Sequence, residues 1–187
     1  SAVTKDVREK QSVNKKNIKL KKGPCSFFLY FEEESVVRVP SYINDLDQWL
    51  EQMKHGTRLD VAVRFAETDA YGHMNNRVPF VYFEDVRTLM LEETGYSLAD
   101  DGIVVVADAQ CNYIRQVYPR ARLAVYAYPV QVGTASCDVH YAAFSEQDEL
   151  MFTGRTSMVQ IDRSGNAFAW NEAYKNSLQN RFESVII

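Results

Sequence analysis

Five stretches of the chain alternate between apolar and polar residues, and three others repeat their apolar residues at helical spacing. The alternating runs are Leu59 to Ala66, Ile103 to Val117, Ala121 to Val132, Ala135 to Ser145 and Leu150 to Asp162, all rich in β-branched and aromatic side chains. The last four are separated only by turn signals (YPR, a Gly133 junction, EQDE), so they predict long antiparallel strands joined in series. In YINDLDQWLEQM, the residues Ile43, Leu46, Trp49, Leu50 and Met53 fall near one face of a short helix that Ser41 can cap. A longer, more apolar helix is expected from about Val78 to Glu93, with Pro79 tolerated in its first turn and Gly95 ending it. The segment NEAYKNSLQNRF predicts a terminal helix. One long apolar helix followed by long antiparallel strands implies a single curved sheet wrapped around that helix, an α+β fold.

With 187 residues, 46% of them hydrophobic, the chain can bury one sizeable core, and its length favours one domain. No run approaches the roughly 20 apolar residues that a membrane span requires. Cys25, Cys111 and Cys137 form no CxxC pair and are odd in number, which fits reduced thiols and a cytoplasmic location. His55, His73 and His140 lie too far apart to read as a metal site, so no metal or cofactor is expected. The net charge of -4 conceals an asymmetry: residues 1–38 carry 9 Lys/Arg and 5 Asp/Glu, and residues 39–187 carry 12 and 20. A body at -8 would repel a nucleic-acid backbone, which excludes that class of partner.

Residues 1–24 are polar, lysine-rich and without periodicity, and CSFFLYF after them is too short for a secretory signal. Residues 1–38 are therefore expected to be a disordered tail, dispensable for activity, ahead of one domain over 39–187. The first methionine is Met53, so the segment up to about Val37 is also a candidate for a non-native extension, with translation starting nearby at a non-methionine codon.

Between the first strand and the long helix lies ETDAYGHMNN, Glu67 to Asn76. A connector needs only a turn former and a cap, so two carboxylates, a histidine and two asparagines are more polarity than folding requires. Asp69, just past the strand and before Gly72, can face a crevice at the start of the helix. If the helix begins around Asn75 or Asn76, its unpaired backbone N–H groups point into that crevice. Structural roles compete for each residue: Asp69 as a turn former, His73 as a hydrogen-bonder, Asn75 or Asn76 as the N-cap, Glu67 as a surface charge at the strand end, and Glu84 with Arg87 as an ion pair on the helix face.

The stretch RFAETDAYGHMNNRVPFVYFEDVR resembles the signature of hotdog-fold acyl-CoA thioesterases of the 4-hydroxybenzoyl-CoA thioesterase-like group. Arg64, Glu67, Thr68, Asp69, Gly72, His73, Asn75, Asn76, Glu84 and Arg87 stand at the signature positions. The chain departs from it at Pro79, where a tyrosine is common, at Val86, where an alanine is, and at GTAS (Gly133 to Ser136), where some aryl-CoA members are basic.

The resemblance implies a hotdog fold and hydrolysis of an acyl-CoA to the free acid and coenzyme A. Asp69 would be nucleophile or general base, the backbone N–H near Asn76 would polarise the carbonyl, and His73 would be a second acid/base or a water-orienting group. Gly72, Asn75, Pro79 and Phe80 would shape the substrate site, and Arg115, Arg120, Arg122, Arg155 and Arg163 are candidates for the phosphates of coenzyme A. A homodimer or homotetramer is implied, with the active site where subunits meet. Hydrolysis of acyl carrier protein thioesters and catalytically silent acyl-CoA binding are the competing readings; a dehydratase of the same fold would carry its Asp and His in another motif.

Overall fold

The computed structural model describes residues 39–97 and 102–183, together with two earlier strands, β1 (Leu20–Lys22) and β2 (Leu29–Phe31), which pair antiparallel. Contacts divide the chain into two units, Ser1–Val37 and Arg38–Ile187. Apart from β1 and β2, the tail expected over residues 1–38 lies outside the described residues.

The second unit runs α1 (Leu46–Lys54), β3 (Thr57–Ala62), a 3₁₀ turn (Phe65–Glu67), α2 (Val78–Glu93), β4 (Ile103–Tyr113), β5 (Arg122–Val132), β6 (Ser136–Ser145), β7 (Leu150–Ile161) and α3 (Glu172–Glu183). Its five strands form one antiparallel sheet in the order β3-β5-β6-β7-β4. The expected α+β arrangement, one sheet against one long helix, is the arrangement found, and it is that of the hotdog fold. Among the described residues no helix is long and apolar enough to cross a membrane.

Helix α2 buries Val78, Tyr82, Phe83, Val86 and Met90, which recur at the spacing of one helical face. Phe83 stacks on Tyr141 of β6 at 4.3 Å between ring centroids. The helix can come this close because β7 carries Gly154 beneath it: a Cβ there would run into the Phe83 ring and meet the Gln110 carbonyl at 3.0 Å. Neighbouring strand residues point to opposite faces, so His140, next to Tyr141, looks away from α2. There it accepts a hydrogen bond at its Nδ1 from the indole of Trp49 in α1 (3.0 Å), and α1 thus covers the other face of the sheet. Trp170, Tyr174 and Leu178 are buried where α3 packs against β5.

Several element ends differ from expectation. The first helix starts at Leu46, and its cap is Asp45, whose carboxylate accepts from Gln48 N (3.0 Å), not Ser41, which stands in the preceding turn. Strand β3 stops at Ala62 because the chain coils into the 3₁₀ turn. Strand β4 ends at Tyr113, where the N–H groups of Ile114 and Arg115 both donate to the Met151 carbonyl and break the register.

The buried histidine makes stability pH-dependent. His140 is 6% exposed, and burial, helped by the positive charge of Arg155, lowers its pKa to about 4. An unfolded chain protonates its histidines near pH 6.5, so between about 6.5 and 4 the unfolded state binds more protons and stability falls as pH falls. The loss should reach on the order of 3 kcal/mol across that window. Denaturant midpoints measured against pH should show it in the wild type and not in His140→Gln, which keeps an acceptor for Trp49 but cannot titrate there.

Candidate active site

The connector is built on Glu67. The residue is 6% exposed, and its side chain is held by the Arg64 guanidinium (2.6 and 3.0 Å), the Arg64 backbone N–H (2.7 Å) and the Tyr82 hydroxyl of α2 (2.8 Å). Burial pulls its pKa upward, but these donors outweigh it and hold the carboxyl below the usual range. Glu67 is therefore a buried anchor between connector and helix rather than the surface charge that its place at a strand end implies.

From Thr68 the chain folds back in a tight turn. The Asp69 N–H donates to the His73 carbonyl (2.8 Å), and Asp69 Oδ1 accepts from the N–H groups of Tyr71 (2.8 Å) and His73 (3.2 Å). Gly72 closes this turn with φ +79°, a conformation that costs glycine nothing and other residues something. The turn uses one oxygen of the carboxylate, and Oδ2 has no hydrogen-bond partner among the described residues. The return strand is fixed by Met74 N to the Val117 carbonyl (2.7 Å) and by Asn75 N to the Glu67 carbonyl (2.8 Å).

A turn over Asn75 to Val78 then leads into α2. The N-cap of α2 is Arg77, without a side-chain cap bond, rather than Asn75 or Asn76; Asn75 Oδ1 accepts from Arg77 N (3.1 Å), and the Asn75 carbonyl accepts from Val78 N (2.9 Å). In a trans peptide the N–H points opposite to the C=O. With the Asn75 carbonyl directed along the helix, the N–H of Asn76 points off its start, and it has no acceptor among the described residues.

These groups meet in a crevice of about 270 Å³. Asp69, His73, Met74 and Asn76 line one side of it. The end of β4 and the segment after it supply Tyr113, Ile114, Arg115 and Val117, and Phe152 of β7 closes the floor. Of the residues that the sequence nominated, Asp69, His73 and Asn76 come together here. Gly72, Asn75, Pro79 and Phe80 do not line the crevice: Gly72 shapes the turn, Asn75 holds Arg77 N just before α2, Pro79 is buried in the first helical turn, and Phe80 rests edge-on against Phe83 at 5.9 Å. The His73 ring lies edge-on to Tyr118 at 5.1 Å.

Among the five arginine candidates only Arg115 lines this crevice, with its Nε 3.6 Å from a Glu149 oxygen. Arg155 is engaged by Asp138 (2.7 Å) and Asp108 (3.2 Å). Arg87 does not pair with Glu84; it donates to the buried Tyr141 hydroxyl (3.3 Å), while Glu84 is exposed. Arg122 borders a larger crevice of about 500 Å³ at the β3 edge, with Arg58, Tyr126 and Phe144. That crevice holds no residue of the connector, so size alone does not mark the chemistry. Burial pushes the thiols of Cys111 and Cys137 up to about 12, which leaves both protonated and poor nucleophiles. The described residues contain no group of three or more His, Cys, Asp or Glu arranged to hold a metal.

Comparison with known proteins places the chain in a family. The family model of the thioesterase-like superfamily matches residues 63–178. The protein YsmA of Bacillus subtilis (strain 168), itself uncharacterised, is 37% identical over 145 residues, 76% of this chain and 97% of YsmA. A DHNA-CoA thioesterase from Staphylococcus aureus superposes with a TM-score of 0.62 at 24% identity, covering 70% of this chain and 96% of its own. A Thermus thermophilus thioesterase complexed with coenzyme A and Zn gives 0.64 at 23%, covering 70% and 98%. The chain belongs to the thioesterase-like superfamily, has its hotdog fold, and is a thioester hydrolase.

Proposed function

We propose that the protein hydrolyses acyl-CoA thioesters in the crevice between the connector and the end of β4. One observation carries this reading: Asp69 and Asn76 line the same crevice, and neither Asp69 Oδ2 nor the Asn76 N–H has a hydrogen-bond partner among the described residues. A thioester carbonyl seated between them has a base or nucleophile on its carbon and a donor on its oxygen. Asp69 either attacks the carbonyl carbon or takes a proton from the water that does. The C=O electrons move onto oxygen, to which the Asn76 N–H donates a hydrogen bond, and their return breaks the C–S bond. The coenzyme A thiolate leaves without a strong acid. If Asp69 was the nucleophile, water cleaves the resulting anhydride, and either route yields the carboxylic acid and coenzyme A. His73, which lines the same crevice, would orient the water.

The active unit is at least a homodimer joined along β4. This eleven-residue strand is an edge of the sheet and leaves Ile103 (44%), Val105 (36%) and Val106 (42%) exposed. Unpaired, it would invite uncontrolled association, and a second copy pairing with it removes that hazard. Because β4 ends at Tyr113 on the crevice, the partner would stand near the substrate.

A thiol-release assay over short, long and aromatic acyl-CoA, with acyl carrier protein thioesters alongside, tests the reading. Turnover of an acyl-CoA well above that of any carrier-protein thioester is expected. Preference for carrier-protein substrates, or tight coenzyme A binding without thiol release, would overturn it.

A further inference from the structure

Tyr113 is the last residue of β4, and β4 and β3 are the two opposite edges of the sheet. The connector follows β3, yet the Tyr113 hydroxyl donates a hydrogen bond to the backbone carbonyl of Asn76, 37 residues earlier in the chain. We propose that Tyr113 is a positioning residue for the oxyanion donor, a clamp that holds the turn leading into α2 so that the Asn76 N–H stays aimed at the thioester oxygen. This rests on the reading of Asp69 and Asn76 given above and adds a residue that no feature of the connector contains.

The geometry favours positioning over a general packing role. Residue 76 is exposed and precedes the regular helix, so the helical ladder does not yet hold it. On its N-terminal side the Asn75 carbonyl is fixed by Val78 N, and on its C-terminal side the Asn76 carbonyl is fixed by Tyr113. The Asn76 N–H lies in the first of these planes, with the Asn75 carbonyl, and Tyr113 fixes the second, so rotation about the Asn76 α-carbon that would re-aim the N–H is restrained from both ends. The tyrosine itself stands on a firm base: it pairs with Phe152 across the ladder, and the two residues after it are anchored on the Met151 carbonyl. The residue is 48% exposed, so losing the hydroxyl leaves the core intact. Burial, then the neighbouring Cys111, push its pKa up to about 12, so the hydroxyl keeps its proton and remains a donor throughout the working range of pH.

Preorganised donors act in the transition state more than in the ground state, which gives a clamp a kinetic signature that a packing residue lacks. Tyr113→Phe should lower kcat on the best acyl-CoA substrate on the order of tenfold, with KM and coenzyme A affinity within about twofold of wild type. Its Tm should be unchanged within a degree or two, and the amide resonance of Asn76 in ¹⁵N-labelled protein should shift or broaden. A kcat within twofold of wild type would overturn the inference. So would a loss confined to KM, which would make Tyr113 a substrate contact, or a kcat loss with a sharply lowered Tm, which would make it structural. These outcomes are separable from failure of the proposed function, because Asp69→Asn in the same assay reports on the reaction while leaving the clamp in place.

Discussion

Val106→Lys on β4 is expected to split the proposed dimer into monomers and to cost at least tenfold in thiol release. The position is 42% exposed on a long edge strand with apolar neighbours, and a two-fold interface repeats the substitution on both sides. Two lysines brought into one interface repel each other and must lose hydration to be covered there, which is how edge lysines prevent strand pairing. The fold of each subunit should survive, because the lysine stem can reach solvent from an edge. Activity should fall with assembly, since β4 runs to Tyr113 on the crevice wall. Sedimentation velocity at micromolar concentration, with circular dichroism to verify folding, reads the outcome. A wild type that sediments only as a monomer would remove the interface from the proposed mechanism.

The parts of this molecule that were legible in the sequence are those written locally. Helix α2 occupies Val78–Glu93 as expected, because Pro79 fits only its first turn and Gly95, at φ +86°, allows the chain to leave. Asp69, His73 and Asn76 reach one crevice because the turn that joins them spans a few residues and depends on hydrogen bonds within it. The opposite wall was not legible. Tyr113 and Phe152 come from strands, and Val117 from the segment after β4, whose place beside the connector follows from sheet order, which alternation cannot reveal. Glu67 was misread for a related reason: its partner Tyr82 lies 15 residues on, across the strand-to-helix join, and a carboxylate with a distant buried partner has the same local pattern as one in water. Arg87 illustrates the converse. Its spacing from Glu84 allows a helix-face pair, but the Tyr141 hydroxyl, brought close by α2 packing on β6, receives it instead.

The largest catalytic effect should come from Asp69→Asn. The amide oxygen can still accept from the N–H groups of Tyr71 and His73, so the turn should form and coenzyme A should bind as before. What the substitution removes is the negative charge at Oδ2, and with it the ability to attack a carbonyl or take a proton from water. A lost positioned base costs on the order of a hundredfold or more in kcat. Asn76→Ala, by contrast, keeps the backbone N–H and loses only a side chain, so its effect should be severalfold at most. The most direct measurement is kcat for thiol release by Asp69→Asn and wild type on the same saturating acyl-CoA, with coenzyme A affinity determined in parallel. A fall of a hundredfold or more at unchanged affinity is the predicted result; turnover near that of the wild type would mean that the Asp69 carboxylate serves only its turn, and would contradict the mechanism at its centre.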